Sequence, residues 1–210
     1  MQLVVLTDEI LREELLNNGV SEEIDWIWIR NEENFIDHKS ADGFIDLLFE
    51  ETQQRIEILK DLSSKPVVIN SVVATLKKIK APFVRMNAWP GFLKRSLVEA
   101  SCNNENIRLQ VEKIFLLLNR KTEWVADEPG FVTPKIVSMI INEAYFTLEE
   151  KVSSKEEIDT AMKLGTNYPH GPFEWSKKIG LKNIYALLNE LSISNSRYQP
   201  AGLLVKEAMV

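Results

Sequence analysis

Up to Ala126 the chain alternates short apolar runs with segments of helical periodicity. Gln2 to Leu6 (QLVVL) is a strand-like run, and Asp8 to Asn17 repeats apolar residues at helical spacing before Gly19. Asp25 to Arg30 (DWIWIR) reads as a second strand, and Asp42 to Leu48, with FIDLL, as a third leading into a helix from Glu50 to Leu62. Lys65 to Ser71, Ala81 to Met86, Ser96 to Ala100 and Lys121 to Ala126 continue the strands. Between the last two, Asn103 to Leu118 sets Ile107, Val111, Ile114, Phe115 and Leu118 on one helical face. Such alternation predicts a parallel sheet with crossover helices. Strand signals stop at Asp127 to Gly130.

From Thr133 the periodicity is helical throughout. Ile136, Ile140, Ala144 and Leu148 recur every fourth residue, and Val137, Met139, Ile141 and Phe146 widen the apolar surface of that helix beyond what one neighbour usually covers. Thr133 is placed to cap it and Pro134 to occupy its first position. Ser154 and Glu157 have the spacing of a capping box, and Ile158, Ala161, Met162 and Leu164 form the stripe of the next helix. Gly165 suits the left-handed position that ends a helix, and Gly171 with Pro172 suits a restart.

Composition narrows the classes. The net charge of −6 comes without a basic cluster, which argues against nucleic acid and against an electrostatic membrane anchor. No apolar run reaches the roughly 18 residues of a membrane span. The N-terminus, MQLVVLTDEI, lacks a basic leader segment and reads as a strand. Cys102 is the single cysteine and cannot form an internal disulfide, so the expectation is a soluble cytoplasmic protein. Cys102 reads as a passive thiol, since no histidine lies near it in sequence. His38, in the polar loop NEENFIDHKS, reads as a surface residue, and His170, in TNYPHGPF, as a packing or capping group. No metal-ligand spacing, P-loop or G-x-S-x-G occurs.

The stretch Ala161 to Trp175, AMKLGTNYPHGPFEW, resembles the L-3-hydroxyacyl-CoA dehydrogenases, whose C-terminal domain carries D-x-A-M-x-x-G-x-x-x-P-x-G-P-F-E/L. Asp159, Ala161, Met162, Gly165, Pro169, Gly171, Pro172, Phe173 and Glu174 fit that pattern. Pro129, Gly130 and Phe131 resemble the family's P-G-F hinge, and Asn142, Glu143 and Ala144 its N-E-A helix. Arg197, Tyr198, Pro200, Leu203 and Leu204 resemble its closing helix. The resemblance spans Ala41 to the C-terminus, and Met1 to Arg30 in outline. It implies an α/β then all-α chain: a reduced Rossmann-like domain over residues 1–128, then a helical dimerisation domain over residues 129–210. It further implies a homodimer through the helical domain and an acyl-CoA-like ligand.

NAD is implied by the resemblance alone, and the residues speak against it. A dinucleotide site needs a glycine-rich turn after the first strand, so that backbone can approach the pyrophosphate. Here Thr7, Asp8, Glu9 and Ile10 follow that strand, and Asp8 and Glu9 complement a helix dipole instead. The second strand ends in Arg30 and Asn31, where the family places an acid for the ribose. About ten residues separate Arg30 from Ala41, so the family's helical arm is expected to be missing.

The family's catalytic histidine, aligned from Leu97, Val98 and Glu99, falls on Asn87, or on Met86 with a one-residue insertion. Neither can act as a base. The family's serine falls near Val72, with Ser71 the one-residue alternative, and its asparagine on Pro134. Glu99 alone is kept among the four. Two classes follow: an oxidoreductase of the 3-hydroxyacyl-CoA dehydrogenase type, or a non-catalytic homodimer that binds an acyl-CoA, another ligand or a protein.

Overall fold

The computed structural model describes all 210 residues and divides into two compact units, Met1–Phe131 and Val132–Val210. The first unit holds strands β1 (Gln2–Leu6), β2 (Asp25–Ile29), β3 (Gly43–Asp46), β4 (Val67–Asn70), β5 (Val84–Met86), β6 (Leu97–Ser101) and β7 (Lys121–Trp124). Helices α1 (Glu9–Leu16), α2 (Gln53–Lys60), α3 (Leu76–Ile79) and α4 (Glu105–Leu117) connect them. All seven strands join one sheet in the order β2-β1-β3-β4-β5-β6-β7.

Alternation along each strand separates the two faces. Leu3 and Val5 of β1 enter one core with Ile45, Val68, Val84 and the buried stripe Val111, Ile114, Phe115 and Leu118 from α4 and its end. Val4 and Leu6 enter the opposite core with Phe44, Val67, Ile69 and the α2 residues Ile56 and Leu59. Burial on both faces explains why β1 reads as an unbroken apolar run.

The sheet is not parallel throughout. β1 to β5 run together, but β6 pairs antiparallel with β5 (Arg85↔Ser101, Met86↔Ala100), and β7 follows β6 in parallel. Residues 87–96 contain no helix; the chain turns back at Trp89–Phe92, where Phe92 N donates to Trp89 O at 2.9 Å and Gly91 has φ 90°. A parallel return needs a crossover longer than this link allows.

Two further elements depart from expectation. The segment after β2 forms a 3-10 helix, Glu32–His38, anchored by the buried Phe35, and α3 was not evident in the pattern. Asp127 explains α3: its carboxylate accepts from Leu76 N at 3.0 Å and Lys77 N at 3.1 Å, beside the Thr75 cap. The same carboxylate lies 3.1 Å from Nε of the buried Arg85, whose guanidinium stacks 4.2 Å over the Phe131 ring and also donates to Ala74 O and Glu128 O. Burial lowers the Arg85 pKa to about 10, against the pull of Asp127.

The second unit is all helix: α5 (Thr133–Glu149), α6 (Lys155–Thr166), α7 (Pro172–Ile179), α8 (Leu181–Ser194) and α9 (Gly202–Ala208). Thr133 does not cap α5. It is the first helical residue after Val132, and Pro134 sits in the first turn. The Ser154–Glu157 capping box forms as expected, but α6 runs through Gly165 to Thr166, and Asn167 takes the left-handed position at φ 55°. Asparagine tolerates that conformation.

Asp159 organises the α6–α7 corner. Its carboxylate accepts from Phe173 N at 2.8 Å and Glu174 N at 3.1 Å, satisfying two free donors at the start of α7. Pro172 has no such donor to satisfy, and Glu174 accepts from Gly171 N at 3.0 Å while pairing with Lys163. Phe173 then meets Tyr145 edge to face at 5.1 Å. Elsewhere Asn142 ties α5 to the segment before α9, donating to Gln199 O and accepting from Ala201 N, both at 2.9 Å.

Candidate functional site at the carboxyl ends of the strands

In an open α/β sheet the ligand crevice lies beyond the carboxyl ends of the strands, where the winding direction switches. Here that point is at β1, flanked by β2 on one side and β3 on the other. The groups available there come from Thr7 to Glu9, Leu47, Asn70 and Asn87.

The turn after β1 is closed by its own acid. Asp8 caps α1, accepting from Leu11 N at 2.8 Å, while Thr7 Oγ1 donates to Asp8 O at 3.0 Å. The donors that a pyrophosphate would use at this helix start therefore face a carboxylate, with Glu9 next to it. Two like charges 4 Å apart near a surface repel by about 4 kcal/mol. A dinucleotide pyrophosphate does not fit this turn. Arg30 is exposed just beyond β2 and makes no part of the turn.

Asn70, at the end of β4, stitches three strand ends together. Its Nδ2 donates to Leu47 O at 3.0 Å and Ala88 O at 3.4 Å, and its Oδ1 accepts from Ala88 N at 3.0 Å. Ser71 is buried and donates to Ala74 O at 2.8 Å, and Val72 is buried beside it.

The antiparallel return of β6 brings Asn87 and Glu99 together. Asn87 N donates to Glu99 O at 3.0 Å, and Asn87 Nδ2 donates to Glu99 Oε2 at 3.2 Å. Both are buried, and Glu99 lies inside β6 rather than at its end. Asn87 Oδ1 accepts from Trp89 N at 3.3 Å, so the amide is held at both ends. Arg95 stacks over Phe92 at 4.6 Å, and Glu99 opposes the lowering of its pKa by partial burial. Met86, the alternative position, is buried in the core. Pro134 lies in the helical unit, in the first turn of α5, where it offers no polar group.

The remaining candidates are dispersed. His38 ends the 3-10 helix half-buried, so it is not in an irregular loop. His170 packs edge on against Trp175 at 4.9 Å, with Nδ1 3.9 Å from Glu174 Oε2. Cys102, just past β6, exchanges contacts with Asn104, and burial pushes its thiol pKa up. No three His, Cys, Asp or Glu side chains converge as a metal cage, and no helix is long and apolar enough to cross a membrane.

Besides Arg85, sequence reasoning passed over two more buried ionic groups. Asp46, in β3, receives two hydrogen bonds of 2.7 Å from Arg55 of α2. Burial pushes the Asp46 carboxyl up, against those bonds. Arg120 donates to Leu93 O, Leu118 O and Glu14 O, and burial lowers its pKa to about 10. Both arginines stand next to apolar segments, where a lone cation usually implies a fixed partner. Two of Arg120's three carbonyl partners, on Glu14 and Leu93, are remote in sequence, so no residue pattern could announce them.

A mostly parallel, doubly wound sheet followed by a helical unit defines a Rossmann-like α/β architecture. Residues 130–209 match the 3-hydroxyacyl-CoA dehydrogenase, C-terminal domain, family. That match covers the helical unit, where the chain is similar to the 3-hydroxyacyl-CoA dehydrogenases. It is 43% identical over 88 residues to the 3-hydroxyadipyl-CoA dehydrogenase of Escherichia coli K12, a match covering 41% of this chain and 18% of that protein. It is 29% identical over 189 residues to the 3-hydroxybutyryl-CoA dehydrogenase of Clostridioides difficile, covering 82% of this chain and 67% of that protein. The fold is also that of the (S)-3-hydroxybutyryl-CoA dehydrogenase of Ralstonia eutropha, with TM-score 0.76, 21% identity and coverage of 98% and 92% of the two chains.

Proposed function

We propose that this protein has lost the dehydrogenase reaction of its relatives and acts as a non-catalytic homodimer that binds an acyl-CoA-like ligand. The observation that carries the reading is Asn87, an amide that cannot take a proton near neutral pH, hydrogen-bonded to Glu99 where an alcohol oxidation needs a base. The Asp8 cap on α1 supports it from the cofactor side. Loss of a general base alone costs about 10² to 10⁴ in rate, and an absent cofactor site leaves no hydride acceptor. An active oxidoreductase is the second reading, favoured by the intact Asn87–Glu99 contact, which keeps the geometry of an oriented side chain.

The dimer reading rests on α5. Ile136 is 54% exposed, Val137, Met139 and Ile140 are half-buried, and α5 and α6 line an apolar groove of about 430 Å³ that includes Ile140, Ala144, Ile158 and Met162. A stable pairing would bury on the order of 1,200–2,000 Å². The same proposal places the protein in the cytoplasm, where the lone Cys102 thiol stays reduced.

Melting the purified protein with NADH and, separately, with acetoacetyl-CoA tests the ligand. A ligand at one hundred times its Kd raises stability by about 2.7 kcal/mol. A shift with acetoacetyl-CoA and none with NADH is expected. NADH oxidation by the wild type near the usual range of about 1–10³ per second would overturn the reading. Asn87→His is expected to stay inactive, because the turn after β1 is unchanged. Light scattering is expected to give twice the 24.1 kDa chain mass.

A further inference from the structure

Two of the chain's glycines follow an aspartate or asparagine, in the pairs Asn18–Gly19 and Asp42–Gly43. In such a pair the glycine main-chain nitrogen can reach the acyl carbon of the preceding side chain, because no Cβ obstructs the approach and the glycine backbone turns freely. The fold treats the two pairs oppositely.

Asp42–Gly43 is locked. Asp42 Oδ2 accepts from Gln2 N at 2.8 Å, and Asp42 N donates to Gln2 O at 2.9 Å. Gly43 opens β3 in register with Leu3, and it is packed so closely that a Cβ there would stand 3.0 Å from Leu3 Cδ2 and 3.1 Å from Ile114 Cδ1. The peptide between the two residues has no room to swing.

Asn18–Gly19 is open. It lies in the turn after α1, where Gly19 is exposed at φ 73° and no atom beyond its chain neighbours comes within 4 Å of its Cβ position. Two hydrogen bonds hold the intervening peptide, Gly19 N to Leu16 O at 3.1 Å and Asn119 Nδ2 to Asn18 O at 2.8 Å, and at this surface water can replace both. The side chain is placed the other way: Asn18 Nδ2 is buried and has no acceptor. A buried donor without a partner costs the fold stability, so nothing holds that nitrogen in place and its loss removes a penalty.

We propose that Asn18 is a site of spontaneous deamidation, an ageing modification whose reagents are hydroxide and water. Hydroxide takes the proton of Gly19 N, and the nitrogen attacks Asn18 Cγ. The new N–Cγ bond closes a five-membered succinimide as the Cγ–Nδ2 bond breaks, and Nδ2 leaves as ammonia with a proton from water. Water then adds to one imide carbonyl and cleaves its bond to nitrogen. Opening at Cγ gives aspartate; opening at the main-chain carbonyl gives isoaspartate, whose backbone runs through the side chain. One water is consumed and one ammonia released, with no change of oxidation state. Either product adds one negative charge to the net −6 of the chain. The isoaspartyl form also lengthens the main chain by one carbon where α1 meets the end of α4, beside the 2.8 Å bond from Ser21 N to Leu117 O.

Peptide mapping by mass spectrometry tests this on the wild type, held folded in warm, mildly alkaline buffer, with a parallel sample in guanidinium chloride. In the folded sample the Asn18 peptide is expected to gain one mass unit before any other asparagine peptide, in both isomeric forms, with one ammonia released per modified chain. Asp42 is expected to isomerise in guanidinium chloride and to stay unchanged in the folded protein. Asn18→Gln keeps the amide but would need a six-membered ring, so it should abolish the early ammonia. Gly19→Ala is a poorer probe, because alanine at φ 73° strains the turn itself. An Asn18 that loses its amide in denaturant but keeps it in the folded protein would overturn the proposal. So would another asparagine reacting first in the folded chain, ammonia release indifferent to Asn18→Gln, or Asp42 isomerising equally in both samples. None of these outcomes depends on whether the helical unit dimerises or what the protein binds.

Discussion

Gly171→Ala is expected to be one of the most damaging single-methyl additions in the helical unit. The backbone of Gly171, at φ −72° and ψ 164°, suits any residue, so strain is not the reason. The reason is proximity: a Cβ there would stand 2.2 Å from Asp159 Oδ1 and 2.4 Å from both Asp159 Cβ and Cγ. Moving the carboxylate would forfeit its bonds to Phe173 N and Glu174 N, a cap lost at about 0.5–2 kcal/mol. That movement would not suffice, because the Asp159 Cβ is fixed to α6, so α6 and α7 must also separate, at about 1–3 kcal/mol for overpacking. The sum, about 1.5–5 kcal/mol, corresponds to a fall in Tm of roughly 4–8 °C per kcal/mol if the helical unit melts on its own. Calorimetry of four proteins checks it: the wild type, Gly171→Ala, and Gly171→Ala combined with Asp159→Ala or with Asp159→Gly. Asp159→Gly should recover part of the loss, while Asp159→Ala should not, since alanine keeps the offending carbon. A Gly171→Ala protein as stable as the wild type, or full rescue by Asp159→Ala, would refute the reasoning.

Arg55→Met should destabilise the first unit by about 3–5 kcal/mol, because it leaves Asp46 buried without its partner; adding Asp46→Leu should recover much of that, as urea unfolding would show. The helical unit should lose stability in acid. Hydrogen bonds from Ser154 hold the Glu157 carboxyl below its ordinary value of 4.5, and one from Lys163 does the same for Glu174. Burial works to raise Glu207, but hydrogen bonds from Lys155 and Tyr145 outweigh it. A lowered folded pKa means that the contribution is complete above 4.5 and is lost as pH falls through the folded values. Melts from neutral pH downward should therefore fall off below 4.5, and Glu207→Gln should flatten part of that slope.

The elements buried on both faces were the most legible. β1, β3 and β4 read as apolar runs because neither side meets water, and α4 showed its buried stripe in full. Strand direction was not legible, since the pattern of a strand is the same either way along the chain, so the reversal at β6 emerged only from the short link before it. Gly165 illustrates a different failure. Glycine permits a helix to end but does not require it, and α6 continues until Pro169 constrains the residue before it, leaving Asn167 to make the left-handed turn. At the candidate site, position 87 was reached only through the family resemblance at Leu97, Val98 and Glu99, whereas Asn70 was invisible, because its partners are main-chain groups of other strands.

Asn70 gives this crevice a character of its own. A carboxamide donates and accepts at once and does not titrate, so it joins the tips of β3, β4 and β5 with the same strength at every physiological pH. Where many clefts present dangling main-chain groups that water fills until a ligand replaces it, this seam has already spent them on itself. Any molecule seeking those tips competes with a covalently tethered amide at very high effective concentration, which makes the mouth of the sheet a closed weld rather than an empty socket.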